Sequence, residues 1–217
     1  MSDSMSKIKA IIFDFDGVLV ESLDIKTRAF AHLFREYPES VDRIVRFHAA
    51  HGGISRFEKF EIIHKDILMT PLSPGRKEEL GKLFSDFVYK EVVRCPFVRG
   101  AKEFLEKHHG KYLFFVVSGT PDEEIKAIVK ERGLEKYFAE VLGSPVKKAA
   151  HNRSIIKKYR LKPGETLFVG DSIDDYKGAR DAGIGFVGRM TGGNTFKGLD
   201  VYAVIKDVRG LEKALNG

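Results

Sequence analysis

The chain is organised around the stretch Ala10-Ile-Ile-Phe-Asp14-Phe-Asp16-Gly-Val-Leu-Val-Glu-Ser22. Its first four residues are apolar at every position, which predicts a strand buried on both faces in a parallel sheet. Asp14 and Asp16 follow, and their side chains point the same way because alternate residues of an extended chain share a face. Buried acids are costly unless a positive group lies beside them. The pair therefore indicates either a cation site or two solvated acids where the strand ends.

The length and composition predict a soluble, cytoplasmic protein. With 217 residues, 43% of them hydrophobic, the chain can bury a real core, as one domain with a sizeable insertion or as two domains. Cys95 is the only cysteine, which excludes an internal disulfide and favours a reducing compartment. Asp14 and Asp16 interrupt the N-terminal apolar run too early for a signal peptide. No apolar run approaches the roughly 20 residues of a membrane helix, so no membrane partner is expected.

The charge balance leaves two kinds of partner open. Lysine and arginine number 37 against 31 acids, a net charge of +6. Nucleic acid is one possible partner, but the many acids dilute the positive charge, and the densest basic stretch, Lys147 to Lys162, has the spacing of a solvated helix face. A moderate positive field equally favours small phosphorylated substrates.

Residues from Leu23 to about Arg94 have helical periodicity and contain no predicted strand. Ser55 is predicted to cap a helix, because Glu58 three residues later completes a capping box. The predicted helices are Leu23 to Tyr37, ending at Pro38; Val41 to Ala50; Ser55 to about Leu68; and one containing Leu80, Leu83, Phe84, Phe87 and Val88. These helices form a separate bundle inserted just after the first strand.

From Pro96 onward, strands and helices alternate. Thr120, Pro121 and Glu123 have the spacing of N-cap, N1 and N3, so Thr120 is interpreted as a helix cap. The predicted strands are Tyr112 to Val117, Val141 to Leu142, Leu167 to Val169, Ile184 to Val187 and Val201 to Ile205. The alternation predicts an α/β fold with a parallel sheet and right-handed crossovers.

Polar side chains follow several of these strands at their carboxyl ends, where open α/β sheets bind their ligands. They are Asp14 and Asp16, Ser118 and Gly119, Lys147 or Lys148, and Asp171 and Asp175. Carboxylates that meet at a sheet edge bind hard cations, and a site of acids, waters and substrate oxygens suits Mg²⁺. Such an ion would cancel the repulsion between an anionic nucleophile and a phosphate.

Four segments together resemble the motifs of the haloacid dehalogenase superfamily of phosphohydrolases. They are Asp14-Phe-Asp16-Gly-Val-Leu-Val, Val116-Val-Ser118-Gly-Thr, Gly143-Ser-Pro-Val-Lys-Lys148 and Gly170-Asp171-Ser-Ile-Asp-Asp175. The likeness covers the chain outside the helical insertion, whose position resembles the helical C1 cap of the phosphatase branch. It implies a Rossmann-like, three-layer α/β/α core formed by residues 1–20 and 96–217, and an all-helical cap formed by residues 21–95 that selects the substrate.

The resemblance also implies roles for individual residues. Asp14 would be the nucleophile and form an aspartyl-phosphate. Asp16 would protonate the leaving alcohol and then activate the water that cleaves the intermediate. Ser118 and Gly119 would hold the transferring phosphoryl group, and Lys148 would neutralise its charge.

The same family pattern implies a magnesium site. Asp14, the carbonyl of Asp16 and Asp171 would bind Mg²⁺, with Asp175 close by through water. Ser172 and Asp175 also have the spacing of a plain N-cap pair, and this alternative stays open. Relatives that cleave carbon–halogen or carbon–phosphorus bonds lack the acid at the position of Asp16, so its presence favours phosphate esters.

Two assignments rest on local geometry. Adjacent residues of a helix are about 100° apart, so Lys147 and Lys148 cannot both face the site. The family's pattern places its lysine three residues after the proline, which selects Lys148. Gly52-Gly53 makes a bend before the helix that Ser55 caps, and Arg56 in its first turn is predicted to contact a substrate oxyanion, or else to face solvent.

The leading hypothesis is a Mg²⁺-dependent phosphatase acting on a small phosphorylated metabolite, such as a sugar phosphate or phosphoglycolate. A sugar phosphomutase with the same residues is the alternative. A non-enzymatic, basic nucleic-acid-binding module is a remote alternative, because the sequence offers no basic strip interleaved with aromatic residues.

Overall fold

The computed structural model describes residues 8–52, 54–191 and 196–216, so Gly53 of the predicted bend lies outside the described residues. The strands are β1 (Ala10–Phe13), β2 (Leu113–Pro121), β3 (Glu140–Ser144), β4 (Thr166–Gly170), β5 (Gly185–Arg189) and β6 (Ala203–Ile205). The helices are α1 (Leu23–Leu33), α2 (Pro38–Ala50), α3 (Arg56–Ile62, followed by a π-helical turn, Ile63–Ile67), α4 (Pro74–Arg94), α5 (Ala101–His108), α6 (Asp122–Glu131), α7 (Lys148–Lys158), α8 (Ile173–Arg180) and α9 (Arg209–Asn216). Among the helices of these ranges, none combines the length and the apolarity needed to cross a lipid bilayer.

The strands form one parallel sheet in the order β3-β2-β1-β4-β5-β6. β1 lies in the middle, with Phe13 opposite Val116 of β2 and Val169 of β4. The strand order reverses beside β1, because β2 and β3 lie on one side of it and β4 to β6 on the other. Ligands of open α/β sheets bind beyond the carboxyl ends of the strands at such a reversal. The predicted fold class is confirmed.

Alternate residues of β1 enter two separate cores, which gives the molecule three layers. Ile11 and Phe13 pack on one face with apolar residues of α5, α6 and α9. Ala10 and Ile12 pack on the other face with apolar residues of α7 and α8. β1 is therefore buried on both sides, as its apolar run predicts.

Helices α1 to α4 are inserted between β1 and β2 and share an aromatic core. Phe30 lies at its centre, with its ring 5.1 Å from that of Phe84 and 5.8 Å from that of Phe60. The segments that enter and leave the insertion pair side by side, through a bridge between Val20 and Phe97. This pairing supports a domain division near residues 20 and 96, which stays a prediction.

Two predicted boundaries are wrong. Pro38 begins α2 and does not end α1, which stops at Leu33, because the first helical turn tolerates a residue without an N–H. β2 continues to Pro121, so Thr120 lies in the strand and Pro121 is the N-cap of α6. Thr120 is therefore not a helix cap. Ser55 is the N-cap of α3, as predicted, since its hydroxyl accepts a hydrogen bond from the Phe57 N–H at 3.3 Å, but within the described residues Glu58 does not complete a capping box with it.

Gly143 provides a test of how tightly β3 packs on the start of α6. A Cβ at Gly143 would lie 2.5 Å from the Thr120 carbonyl oxygen and 2.5 Å from the Asp122 Cα, and these backbone atoms cannot rotate away. Gly143→Ala should therefore lower the free energy of unfolding by about 1–3 kcal/mol, measured by urea denaturation. Gly110→Ala is the control, because nothing lies within 4 Å of its added Cβ. Equal effects of the two substitutions would contradict this packing.

Candidate active site

The candidate site is a cavity of about 450 Å³ between the carboxyl edge of the sheet and the helical insertion. The sheet edge contributes the acids that follow β1 and β4 and the polar end of β2. The insertion contributes basic and aromatic side chains from α1 to α4. The lining residues include Asp14, Asp16, Ser118, Asp171, Lys26 and Lys59.

Asp14 lies directly after β1 and is only 3% exposed. Its Oδ1 accepts a hydrogen bond from the N–H of Phe15 at 2.7 Å, and its Oδ2 lies 3.1 Å from the ammonium of Lys148. Burial raises the pKa of Asp14 to about 7, with Asp175 and Asp16 adding to the rise and Lys148 opposing it. Asp14 is therefore a buried carboxylate beside a single cation, open to the cavity.

Asp14, Asp171 and Asp175 form a compact acidic cluster. One carboxylate oxygen of each lies within 4.8 Å of the others, and all three side chains are buried. Burial raises the pKa of Asp171 well above its usual range, and the charges of Asp175 and Asp14 raise it further. The Lys148 ammonium pairs with two of the three acids, Asp14 and Asp175. Carboxylate oxygens in excess over positive charge fit a divalent cation with a preference for oxygen ligands.

Asp175 takes part both in the cap of α8 and in the acidic cluster. Its Oδ2 accepts hydrogen bonds from the N–H and the hydroxyl of Ser172, at 3.1 and 2.7 Å, and Ser172 caps α8 in return by accepting from the Asp175 N–H. Its Oδ1 pairs with Lys148. The capping residue is thus also a member of the acidic cluster, and it holds Lys148 in place.

The two candidate lysines differ in exposure at the start of α7. Lys148 is 8% exposed and reaches Asp14 and Asp175, whereas Lys147 is exposed to solvent. Lys148 is the first residue of α7 and Lys147 is its N-cap with an extended backbone, so the change from extended to helical backbone separates the two side chains, and not the rotation along a helix on which the prediction relied.

Asp16 points away from the acidic cluster and toward the insertion. It accepts hydrogen bonds from the hydroxyls of Ser22 and Thr120, at 2.6 and 3.1 Å, and it pairs with Lys26 of α1. Burial alone would raise the pKa of Asp16, but Lys26 and these hydroxyls hold it below its usual value. Asp16 is therefore a carboxylate in this arrangement. Its carboxylate takes no part in the acidic cluster, and the predicted contact of its carbonyl with a metal stays a prediction.

Thr120 and Lys26 are site residues that sequence reasoning missed. The Thr120 hydroxyl lies between Asp16 and the Lys26 ammonium, which is 3.0 Å away. The signal for Thr120 was its position two residues after Ser118, which places both on one face of a longer strand. The signal for Lys26 was its position four residues after Ser22, one helical turn away.

Ser118 and Gly119 lie at the end of β2 where the sequence predicts them. Ser118 is buried, its hydroxyl accepts a hydrogen bond from the Thr120 N–H at 3.1 Å, and both Ser118 and Gly119 line the cavity. Arg189 of β5 is another residue that the sequence did not reveal. It donates to the Gly17 carbonyl at 2.7 Å and pairs with Glu21, so it holds the turn that follows Asp16.

Arg56 does not face solvent: it lines the cavity, and its guanidinium is already bound within the protein. It is 5% exposed, and its two terminal nitrogens bind the carboxylate of Glu124 on α6 at 2.5 and 3.0 Å. It also donates to the Ser85 hydroxyl at 2.7 Å, and its guanidinium lies 4.4 Å from the centre of the Phe84 ring. The guanidinium nitrogens predicted to contact a substrate oxyanion instead bind Glu124, and this pair joins the insertion to the sheet domain.

The profile of a family described as haloacid dehalogenase-like hydrolase matches residues 8–183. The chain belongs to this family. The phosphoglycolate phosphatase of Vibrio parahaemolyticus is 28% identical to it, over 86% of each of the two chains. The phosphoglycolate phosphatase of Pasteurella multocida is 29% identical, over 88% of this chain and 89% of the relative. The crystal structure of a predicted phosphoglycolate phosphatase from Haemophilus somnus shares the fold, with a TM-score of 0.77, 22% identity and coverage of 96% and 98% of the two chains.

Membership in the family makes this chain an enzyme of the hydrolase class, with phosphatases among its relatives. It argues against the alternative of a non-enzymatic module that binds nucleic acid. The helical insertion after β1 agrees with the capped phosphatase branch that the four motifs resemble.

The contacts of Thr120 yield a prediction. Thr120→Val removes the hydroxyl between Asp16 and Lys26 and should lower kcat for phosphate release by about 10–100-fold, as losing an orienting hydrogen bond in a site does. Thr120→Ser keeps the hydroxyl and should stay near the wild-type rate, measured with p-nitrophenyl phosphate. A valine variant as active as the serine variant would remove Thr120 from the site.

Proposed function

We propose that this enzyme is a Mg²⁺-dependent phosphatase that hydrolyses a small phosphomonoester through an aspartyl-phosphate on Asp14. The observation that carries the proposal is the position of Asp14. It is a buried carboxylate at the reversal of the strand order, 3.1 Å from Lys148, in a cluster with Asp171 and Asp175 that fits a divalent cation.

In the first step, a carboxylate oxygen of Asp14 attacks phosphorus as the ester oxygen leaves. The leaving oxygen takes a proton from Asp16, so Asp16 must gain a proton before or with the substrate, because Lys26 holds it ionised in this arrangement. In the second step, the Asp16 carboxylate accepts a proton from the water that cleaves the aspartyl-phosphate, and inorganic phosphate leaves.

The remaining residues position the phosphoryl group and balance its charge. The hydroxyl of Ser118 and the backbone of Gly119 border the cavity beside Asp14. Lys148 is held by Asp175 and faces the developing charge. Asp14, the Asp16 carbonyl, Asp171 and, through water, Asp175 would hold Mg²⁺, which when bound would reduce the repulsion between Asp14 and the phosphate dianion.

The cavity and the relatives support a small substrate. A cavity of about 450 Å³ suits a metabolite and not a macromolecule. The curated relatives are phosphoglycolate phosphatases, which supports a compact phosphomonoester such as phosphoglycolate or a sugar phosphate. A sugar phosphomutase would use the same residues, but it would convert a sugar phosphate without releasing phosphate.

The test is a screen of phosphate release across a panel of phosphomonoesters, with Mg²⁺ and with EDTA. Wild-type enzyme should release phosphate with Mg²⁺ and lose this activity in EDTA. Asp14→Asn should abolish release because an amide cannot attack phosphorus, and Asp16→Asn should accumulate the phosphorylated enzyme, detectable by intact mass. Near wild-type activity in either variant, or isomerised sugar phosphate without free phosphate, would refute the proposal.

The two lysines of the third motif give a matched pair of variants. Lys148→Ala should lower kcat on the order of a hundredfold or more, because a cation beside the transferring group is worth several kcal/mol in a dry site. Lys147→Ala should change kcat little, since this side chain is exposed. The reverse result would assign the catalytic lysine to position 147.

A further inference from the structure

Lys59 on α3 places a buried ammonium in the wall of the active-site cavity. It is 3% exposed and lines the cavity together with Asp14 and Asp16. Its Nζ lies 3.0 Å from Nδ1 of His48, 3.4 Å from the His48 carbonyl oxygen and 5.6 Å from the centre of the Phe30 ring. Nothing in the catalytic scheme above uses this cation.

The partners of Lys59 do not neutralise its charge. An ammonium only donates hydrogen bonds, so Nδ1 of His48 accepts and the ring is neutral. Burial, followed by the charge of Lys59, holds the pKa of His48 well below its usual range. Lys26, which also lines the cavity, pairs with Asp16, whereas within the described residues no carboxylate oxygen lies within 4.0 Å of the Lys59 ammonium.

A buried cation without a counter-charge is unfavourable. Burial and the charge of Lys26 together lower the pKa of Lys59 to about 7, although the acids Asp174, Asp171 and Asp16 oppose the shift. Lys59 belongs to α3 of the insertion, whereas Asp14 and Asp171 follow strands of the sheet, so these acids and Lys59 line the cavity from different parts of the molecule. A ligand that brings a negative charge there would supply what the protein does not.

Resting on the proposed function, we propose that Lys59 binds a carboxylate on the leaving group of the substrate, and that the enzyme hydrolyses small phosphorylated carboxylic acids. One uncompensated ammonium matches a monoanion. A second phosphate dianion would leave charge uncompensated at a buried position. Neutral hydroxyl groups would leave the ammonium without a counter-charge.

The rest of this side of the cavity favours a short acid over a sugar. Leu23, Phe30, Ile54 and Phe84 give it apolar walls. The guanidinium of Arg56 is held by Glu124, and so it does not compete for the anionic end of a substrate. Each hydroxyl group of a sugar that lies against these apolar side chains without a partner would cost free energy.

The test compares esters that differ only in the carboxylate. One pair is phosphoglycolate and ethyl phosphate, and the other is phosphoglycerate and glycerol phosphate. Wild-type enzyme should have a kcat/KM at least about tenfold higher for the acid of each pair, because a hydrogen bond to a charged group is worth about 1.5–3 kcal/mol. Lys59→Met, which keeps the length of the apolar stem, should lower this ratio about 10–100-fold.

Lys65→Met is the control, since Lys65 is an exposed lysine that follows on the same segment. The ratio of kcat/KM between the acid and its partner ester should be the same in this variant as in wild type. Lys59→Gln is a second variant should the methionine variant fold poorly. The wild-type ratio itself needs no variant: a value near one in both pairs, or a higher kcat/KM for a sugar monophosphate or bisphosphate than for either acid, would overturn the inference and leave the phosphatase proposal standing.

If the phosphatase proposal itself were wrong, a different result would be measured. Wild-type enzyme would then release no phosphate from any ester with Mg²⁺ present. Isothermal titration of wild-type and Lys59→Gln protein with phosphoglycolate and with ethyl phosphate would still decide the inference. Tighter binding of the acid by wild type alone supports a carboxylate site at Lys59, and equal binding of the two esters refutes it.

Discussion

The repulsion among three buried carboxylates is the constraint on which the rest of the active site depends. Lys148 pairs with Asp14 and Asp175, and the backbone brings Asp171 close to both of them. Parallel pairing of β1 with β4 brings Asp14 and Asp171 to one edge, and the cap of α8 fixes Asp175. Gly17 completes this arrangement with a φ of 72°, and a Cβ there would lie 2.6 Å from Asp171 Oδ2. A cluster held in this way fits a divalent cation, as the proposed function requires.

The helical insertion controls the electrostatics of the cavity as well as its shape. Lys26 reaches across to Asp16 and keeps it ionised, while Arg56 pairs with Glu124 on the sheet domain. The positive charges of Lys26 and Arg56 are thereby balanced by two acids of the sheet domain, Asp16 and Glu124. Lys59 is buried in the same wall, and within the described residues no acid pairs with it. The insertion therefore contributes one cation to Asp16 and one to the junction, and in the proposal above Lys59 is the cation that meets the substrate.

The sequence alone determined much of the fold and the part of the site that lies at the ends of the strands, because both follow from local rules. The apolar run Ala10 to Phe13 could only be a doubly buried strand, and polar residues directly after parallel strands must meet at one edge. The choice of Lys148 over Lys147 came from its position three residues after Pro145, as the family's third motif implies, and Lys148 is the buried lysine of the two. The capping spacing of Ser172 and Asp175 likewise held. Each of these depends on neighbours within a few positions of the chain, which is why the sequence sufficed.

Only the tertiary structure decided the contacts between the insertion and the sheet. The sequence predicted Thr120 as a helix cap. In the structure β2 ends at Pro121, four residues beyond the predicted end at Val117, and the Thr120 hydroxyl donates to Asp16. The sequence predicted that Arg56 contacts the substrate. In the structure it binds Glu124, which lies 68 residues later in the chain. The sequence analysis did not single out Lys59, because its burial depends on how the insertion and the sheet domain pack together. No local periodicity encodes that orientation, since it arises from the sum of many weak contacts between distant segments.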